Sequence, residues 1–216
     1  WQTGDLGVRE ISLDSGEMIS ETKFIEKFNY KEMITSSMSG YYNNKLYFIK
    51  RKTDDSVSEK HRSELIEWNM ESKEIERRYE IREGYSVTNY SSVVITGDTA
   101  YFGVPSITRE IVDGKEVIIE PSIPAYITAF DLKEWKEKWR YTMEAVDMFD
   151  GSSYYGIGLP DVTPGDWIIN GDKLIIPTDC GVLALNKDSG KVEWDNLNRW
   201  EGKKYSENSI NGVTGN

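Results

Sequence analysis

Cysteine and histidine are almost absent from this 216-residue chain, which has one of each, Cys180 and His61. A single cysteine excludes an internal disulfide. A single histidine excludes a zinc site built from several imidazoles and leaves a histidine-based triad one candidate residue. No run approaches the roughly 18 to 20 consecutive apolar residues that a spanning helix requires, so no membrane span is expected. Positive charge is in deficit: 26 Lys+Arg stand against 37 Asp+Glu, a formal net charge of -11. A protein that tracks a phosphate backbone releases counterions from a basic face, and no block of Lys and Arg interrupts this acidic background. Nucleic acid is therefore not an expected partner, and anionic membrane surfaces are disfavoured. Sustained helical periodicity is missing as well. The chain begins at Trp1 with no charged and apolar leader, which reads as a start that has been trimmed, processed or left out.

What is present is a globular composition, 38% hydrophobic, 29% charged and 12% aromatic. The apolar residues come in short, β-branched and aromatic runs at 45–49, 100–103, 125–130, 174–176 and 181–185, each of strand length. The stretch 131–139 carries charge on every side, so a strand, a turn and a second strand account for it better than a helix. These patterns predict an all-β chain.

The runs repeat. Residues 184–194 (ALNKDSGKVEW) lie over 129–139 (AFDLKEWKEKW) without a gap, with Ala, Asn or Asp, and Trp at the same offsets. Weaker copies start at Glu67 and Glu10 and end at Arg77 and Ser20. The shared turn position falls at 16, 73, 135 and 190, about 60 residues apart, the period of a supersecondary unit. A second series of tight-turn sequences stands at Asn43-Asn44, Gly97-Asp98, Gly171-Asp172 and Asn211-Gly212, residues that tolerate positive φ. Each unit reads as four strands, A to D, with tight A–B and C–D turns. This is the blade of a β-propeller, a four-stranded antiparallel sheet repeated about an axis. Three blades are expected at about 33–80, 87–143 and 165–196. A remnant at 6–24 supplies strands C and D only, and 205–216 begins a further blade.

With Ala, Asp/Asn, Ser-Gly and Trp in register at 184–194, the repeats resemble the quinoprotein-type (PQQ-like) propeller family, whose repeat is Ala-x-Asp-x-x-Thr-Gly-x-x-x-Trp. The resemblance covers nearly the whole chain as a fold. It implies that Trp139 and Trp194 are structural residues that dock against a neighbouring blade. The family includes PQQ- and calcium-dependent dehydrogenases as well as non-catalytic scaffolds and extracytoplasmic sensor domains, so fold does not carry function. The single cysteine, the acidic excess and the small number of blades depart from the dehydrogenase pattern.

In a four-stranded meander the A–B and C–D turns share one end of the blade, and the B–C and D–A connections share the other. The long connections, 50–63, 103–124 and 143–166, all fall at the second end, where loops of this length are often functional. Connection 103–124 is expected to form an extra hairpin about Asp113-Gly114. Connection 143–166 holds five carboxylates with no Lys or Arg, interleaved with aromatics. From it come the candidate binding-face residues Asp147, Asp150, Tyr154, Tyr155 and Asp161. Clustered carboxylates suit calcium or a basic partner, although the spacing does not match a calcium-binding loop. Paired carboxylates with aromatics also suit carbohydrate. His61 reads as a solvated loop residue and Cys180 as a small turn residue. Asn89-Tyr90-Ser91 meets the N-glycosylation pattern.

The expectation is thus a non-catalytic PQQ-like propeller, outside the cytoplasm, acting as an interaction, scaffold or sensor module. No catalytic residue, PQQ or other cofactor is expected, calcium being the one metal the loop chemistry admits. The alternatives are part of a PQQ-dependent dehydrogenase and a carbohydrate-binding or carbohydrate-active propeller. The expected partner is a protein or a second propeller half, including a homodimer that completes a ring.

Overall fold

The structure, a computed structural model, describes residues 2–4, 7–23, 32–34, 40–52, 62–82, 93–104, 107–112, 115–143, 146–148, 156–158, 167–178 and 181–197. Among them there is no helix, and every strand lies in an antiparallel sheet.

Four sheets follow one another along the chain. Blade I holds β1 (Gln2–Gly4), β2 (Gly7–Ile11) and β3 (Met18–Lys23) in that order. It therefore has one strand more than the C and D pair expected from 6–24, because Gly4 and Gly7 pair across a tight connection and bring the first residues alongside β2. Blade II holds β5 (Gly40–Tyr42), β6 (Lys45–Lys52), β7 (Arg62–Asn69) and β8 (Glu74–Arg82). Its first strand is in two pieces, since β4 (Glu32–Ile34) pairs the far end of β6 while β5 pairs the near end. Blade III runs β9 (Val94–Thr96), β10 (Thr99–Val104), β13 (Tyr126–Asp131) and β14 (Lys136–Thr142). Blade IV runs β17 (Ile168–Asn170), β18 (Lys173–Thr178), β19 (Gly181–Asn186) and β20 (Val192–Leu197). Two hairpins are inserted: β11 (Ile107–Val112) with β12 (Lys115–Ile123), and β15 (Val146–Met148) with β16 (Gly156–Gly158).

The C–D hairpins are built alike in all four blades. Asn69, Asp131 and Asn186 each accept two backbone N–H bonds from the turn with Oδ1, at 2.8 to 3.2 Å, and Ser12 accepts one with Oγ. These side chains supply the turn hydrogen bonds that the strand ladder cannot. The turn closes on a residue with positive φ: Gly16 at 73°, Lys73 at 58°, Trp135 at 55° and Gly190 at 70°. In every blade the register then shifts just beyond Glu10, Glu67, Ala129 or Ala184, a β-bulge of the kind that follows a left-handed turn residue. The bulge sets Ser20, Arg77, Trp139 and Trp194 directly opposite those four residues.

Burial explains the strand sequences. β10 is buried along its whole length, yet Ala100, Phe102 and Val104 enter one core with Tyr47, Ile49 and Leu65 of blade II, while Tyr101 enters another with Leu174, Ile176, Leu183 and Leu185 of blade IV. Alternate side chains on a strand face opposite sides, so a central strand packed on both faces has no solvent-facing row. A third core joins Val8 of blade I to Leu46, Phe48, Ile66 and Trp68 of blade II. The cores thus lie between consecutive blades.

Candidate functional site

The structure places three sets of residues that bear on function: the long-connection end, the inter-blade contacts and the polar clusters along them. At the first, Val104, Tyr126 and Thr142 stand in one register row, so the connection that contains β11 and β12 and the connection that contains β15 and β16 leave blade III at the same end. The tight turns lie at the other end, where Thr99, Asp131 and Lys136 share a row. The 103–124 connection does form a hairpin, with Val112 paired to Lys115. Asp147 lies in β15, paired with Ile157. Asp150, Tyr154, Tyr155 and Asp161 lie outside the described residues, as do His61, Cys180, Asn89 and the 205–216 segment. At the foot of this end the buried Trp167 indole N–H has no hydrogen-bond partner among the described residues.

Between blades III and IV, Trp139 lies against the C–D turn of blade IV. A Cβ on Gly190 would stand 2.6 Å from Trp139 Cε3, so only glycine fits beneath the ring, and the positive φ reinforces that requirement. The indole Nε1 donates to the Lys187 carbonyl at 3.0 Å. Trp194 occupies the corresponding place in blade IV, opposite Ala184, and is 43% exposed.

Blade II performs the same docking with different chemistry. Arg77, at the Trp139 position, donates to the Leu132 carbonyl at 2.6 Å, the counterpart of Lys187 O, and its guanidinium stacks 4.2 Å from the centroid of Trp135, the counterpart of Gly190. The bulky residue has moved from one blade to the next: Trp on Gly becomes Arg on Trp. Trp135 packs edge-on to Phe130 at 5.1 Å and donates its indole N–H to Arg78 O.

Arg77 brings a buried carboxylate with it. Glu67, opposite it in register and 0% exposed, accepts hydrogen bonds from Arg77 Nε at 2.8 Å, from Lys45 Nζ at 2.9 Å and from the Tyr47 hydroxyl at 2.9 Å, with a further one from Arg77 Nη2. Burial pushes this carboxyl up, but the hydrogen bonds from Arg77, Lys45 and Tyr47 outweigh it and hold Glu67 below the ordinary glutamate value. Burial, and then Glu67, drives the Tyr47 phenol up. Lys45 also meets Glu76 at 2.6 Å. Glu10 and Ser20 hold the corresponding positions in blade I, joined by a hydrogen bond of 3.0 Å. The sequence carried a signal for this cluster, since the copy that replaces Ala by Glu at 67 is also one that replaces Trp, by Arg at 77.

A second cluster ties the turns of blades II and III. The Tyr42 hydroxyl donates to Asp98, which also pairs with Lys133. Those two bonds keep the Asp98 carboxyl below its usual range. A surface hollow of about 490 Å³ is lined by Trp68, Glu74, Ile75, Glu76 and Arg78, but Glu76 is engaged by Lys45 and Asn69, and Arg78 by Glu64.

Among the described residues no three His, Cys, Asp or Glu side chains gather where they could hold a metal ion. No described helix is long and apolar enough to cross a membrane.

No protein-family model matches the chain, and no curated protein does. Solved structures do. A europium-containing methanol dehydrogenase superposes with a TM-score of 0.53 at 11% identity, over 92% of this chain and 40% of that one. The quinohemoprotein alcohol dehydrogenase from Comamonas testosteroni gives 0.53 at 12% identity, over 88% of this chain and 32% of that one. The chain shares the fold of quinoprotein-type propellers and spans well under half the length of these two proteins. Likeness at this level is a statement about fold.

Proposed function

We propose that the chain is a non-catalytic PQQ-like propeller unit that acts as a protein-interaction, scaffold or sensor module through its long-connection end. The observation that supports this most directly is the addition of two hairpins, β11–β12 and β15–β16, at one end of blade III, while the opposite end is closed by four near-identical turns. The turns of blades II, III and IV are occupied in holding the blades together. The added hairpins contribute no strand to a blade. The acidic 143–166 connection, with Asp147, Asp150, Tyr154, Tyr155 and Asp161, gives this end the chemistry for a basic protein surface. A location outside the cytoplasm accords with the family resemblance.

Cross-linking of the chain in its native extract, using carboxylate- and lysine-reactive reagents followed by mass spectrometry, tests this reading. Partner cross-links are expected in 103–124 and 143–166, and replacing 107–123 by a short glycine turn is expected to remove the partner without lowering the melting temperature. Cross-links confined to the turns about residues 73, 135 and 190 would sink the proposal. The names of the two structural neighbours favour a second reading, a portion of a PQQ-dependent alcohol dehydrogenase. A thermal shift with calcium and PQQ together, with a quinone absorbance band that stays with the protein, would carry that reading instead.

A further inference from the structure

Each contact between consecutive blades holds a space beside the C–D turn, and what fills it changes from contact to contact. Between blades III and IV it is Trp139, whose ring lies where a Gly190 Cβ would be. Between blades II and III, Arg77 and Trp135 fill it together, with Trp135 edge-on to Phe130 and the guanidinium 4.2 Å from the Trp135 ring centroid. Between blades I and II the same positions hold Ser20 and Lys73. The serine side chain is short and its hydroxyl donates to Glu10 of its own blade, while Lys73 is exposed. Tyr79, two residues beyond Arg77, packs 4.6 Å from Phe130, and its blade I counterpart is the smaller Thr22. The hollow of about 490 Å³ marks this unfilled contact. Its lining includes Trp68 and Ile75, paired in register as Phe130 and Glu137 are, and Trp68 belongs to the core that Val8 of blade I enters.

The residue opposite in register shows which side chain suits the space. Trp139 stands opposite Ala129, and Arg77 opposite Glu67. Opposite Ser20 stands Glu10, a carboxylate like Glu67. In blade II a single guanidinium bridges three groups, with Nε on Glu67 at 2.8 Å, Nη2 on the Leu132 carbonyl at 2.6 Å and its carbon over the Trp135 ring. The contact of blades I and II keeps the carboxylate at Glu10 and a turn carbonyl at Met70, the counterpart of Leu132, with serine where the guanidinium side chain would start. Ser20 supplies Glu10 with one proton, whereas a carboxylate accepts about four hydrogen bonds. Glu74 and Glu76 add acid to the rim, and the cation in the described lining, Arg78, is paired with Glu64 at 3.0 Å.

We infer that this hollow receives an arginine side chain of a basic partner protein, with the guanidinium on Glu10 and the Met70 carbonyl and the aliphatic stem against Ile75. A planar fork meets a carboxylate and a carbonyl at once, which the compact ammonium of lysine does not. The net charge of -11 favours the approach of such a partner. The hollow stands beside the tight turns, so the site is separate from the long-connection end and does not rest on the interaction role proposed there.

Two measurements on the full chain test the inference. The first fills the hollow from within. Ser20→Arg copies the pairing of Glu67 with Arg77, so it is expected to raise the melting temperature by about 2 to 4 °C, and the gain is expected to vanish when Glu10→Gln is added. The second titrates the isotope-labelled chain with a blocked Gly-Arg-Gly tripeptide in NMR. Shifts are expected at the Trp68 indole and at Ile75, with a Gly-Lys-Gly tripeptide binding at least about tenfold more weakly. Glu10→Gln and Ser20→Arg are each expected to abolish them. Both substitutions lie on a partly buried strand face, and an unchanged far-UV spectrum checks that the fold is kept. A Ser20→Arg chain that is no more stable than wild type, or whose gain survives Glu10→Gln, overturns the inference. So do a silent arginine peptide, an equal response to lysine, and shifts that persist in Ser20→Arg.

Discussion

Two residues with the same unfavourable backbone show how context decides sign. Lys73 and Trp135 both hold φ near 55 to 58°, a conformation that costs an L-residue about 1 to 2 kcal/mol. Trp135 offsets this through Phe130, Arg77 and Arg78, while Lys73 lies exposed on its turn. Lys73→Gly is therefore expected to stabilise the chain by roughly 0.5 to 1 kcal/mol, and Trp135→Gly to destabilise it by about 2 kcal/mol, in urea unfolding. Glu67 carries the pH dependence. Its folded-state pKa lies below the unfolded value, so its contribution is complete above about pH 4.5 and is lost as pH falls through the folded pKa. Glu67→Gln should cost roughly 2 to 3 kcal/mol at neutral pH, less than a fully enclosed pair because Arg77 and Lys45 still reach water. The gap from wild type should narrow below pH 4.5 in a series of melts; a constant gap would show that the charge is not the cause. The burial of Glu67 is not legible from the residue alone, since it depends on a blade elsewhere in the sequence, whereas the positive φ of Trp135 follows from its place in the repeated turn.

At the scale of the element, the C–D hairpin is the repeating part, and its design was largely readable. Asn or Asp at the first turn position, Gly at 16 and 190, and the strand runs on either side announce a tight turn by local chemistry. The register shift and the pairing of Glu67 with Arg77 were not readable, because a bulge changes which side chains oppose each other by one residue. The two docking pairs can be exchanged. Arg77→Trp alone and Trp135→Gly alone should each destabilise, the first by overfilling the space beside Trp135 and Glu67. Glu67→Ala with Arg77→Trp and Trp135→Gly rebuilds the contact that Ala129, Trp139 and Gly190 make. The triple variant should recover at least half of the summed single losses, a coupling typical of residues in contact. Additive losses would mean that the two interfaces are not equivalent. Gly190→Ala, with its Cβ against Trp139, should lower stability by about 2 kcal/mol or more.

Across the whole molecule, the sequence by itself determined the class, the repeat and the turn positions. Strand length, β-branched content and turn residues are short-range properties, and four copies of one spacing leave few architectures besides blades. The single Cys, the single His and the excess of acid were equally direct, and they set the limits on chemistry. What only the tertiary structure decided is the content of each inter-blade contact: that Arg77 and Trp135 stand in for Trp139 and Gly190, that Glu67 is buried beneath them, and that Trp194 and Gly16 face outward with no counterpart in the described chain. The physical reason is range. A turn is chosen by its own few residues, whereas an interface joins positions in different repeats, 48 residues apart for Trp139 and Lys187 and 55 for Arg77 and Leu132, and is settled by which shapes and charges can fill the space between two sheets.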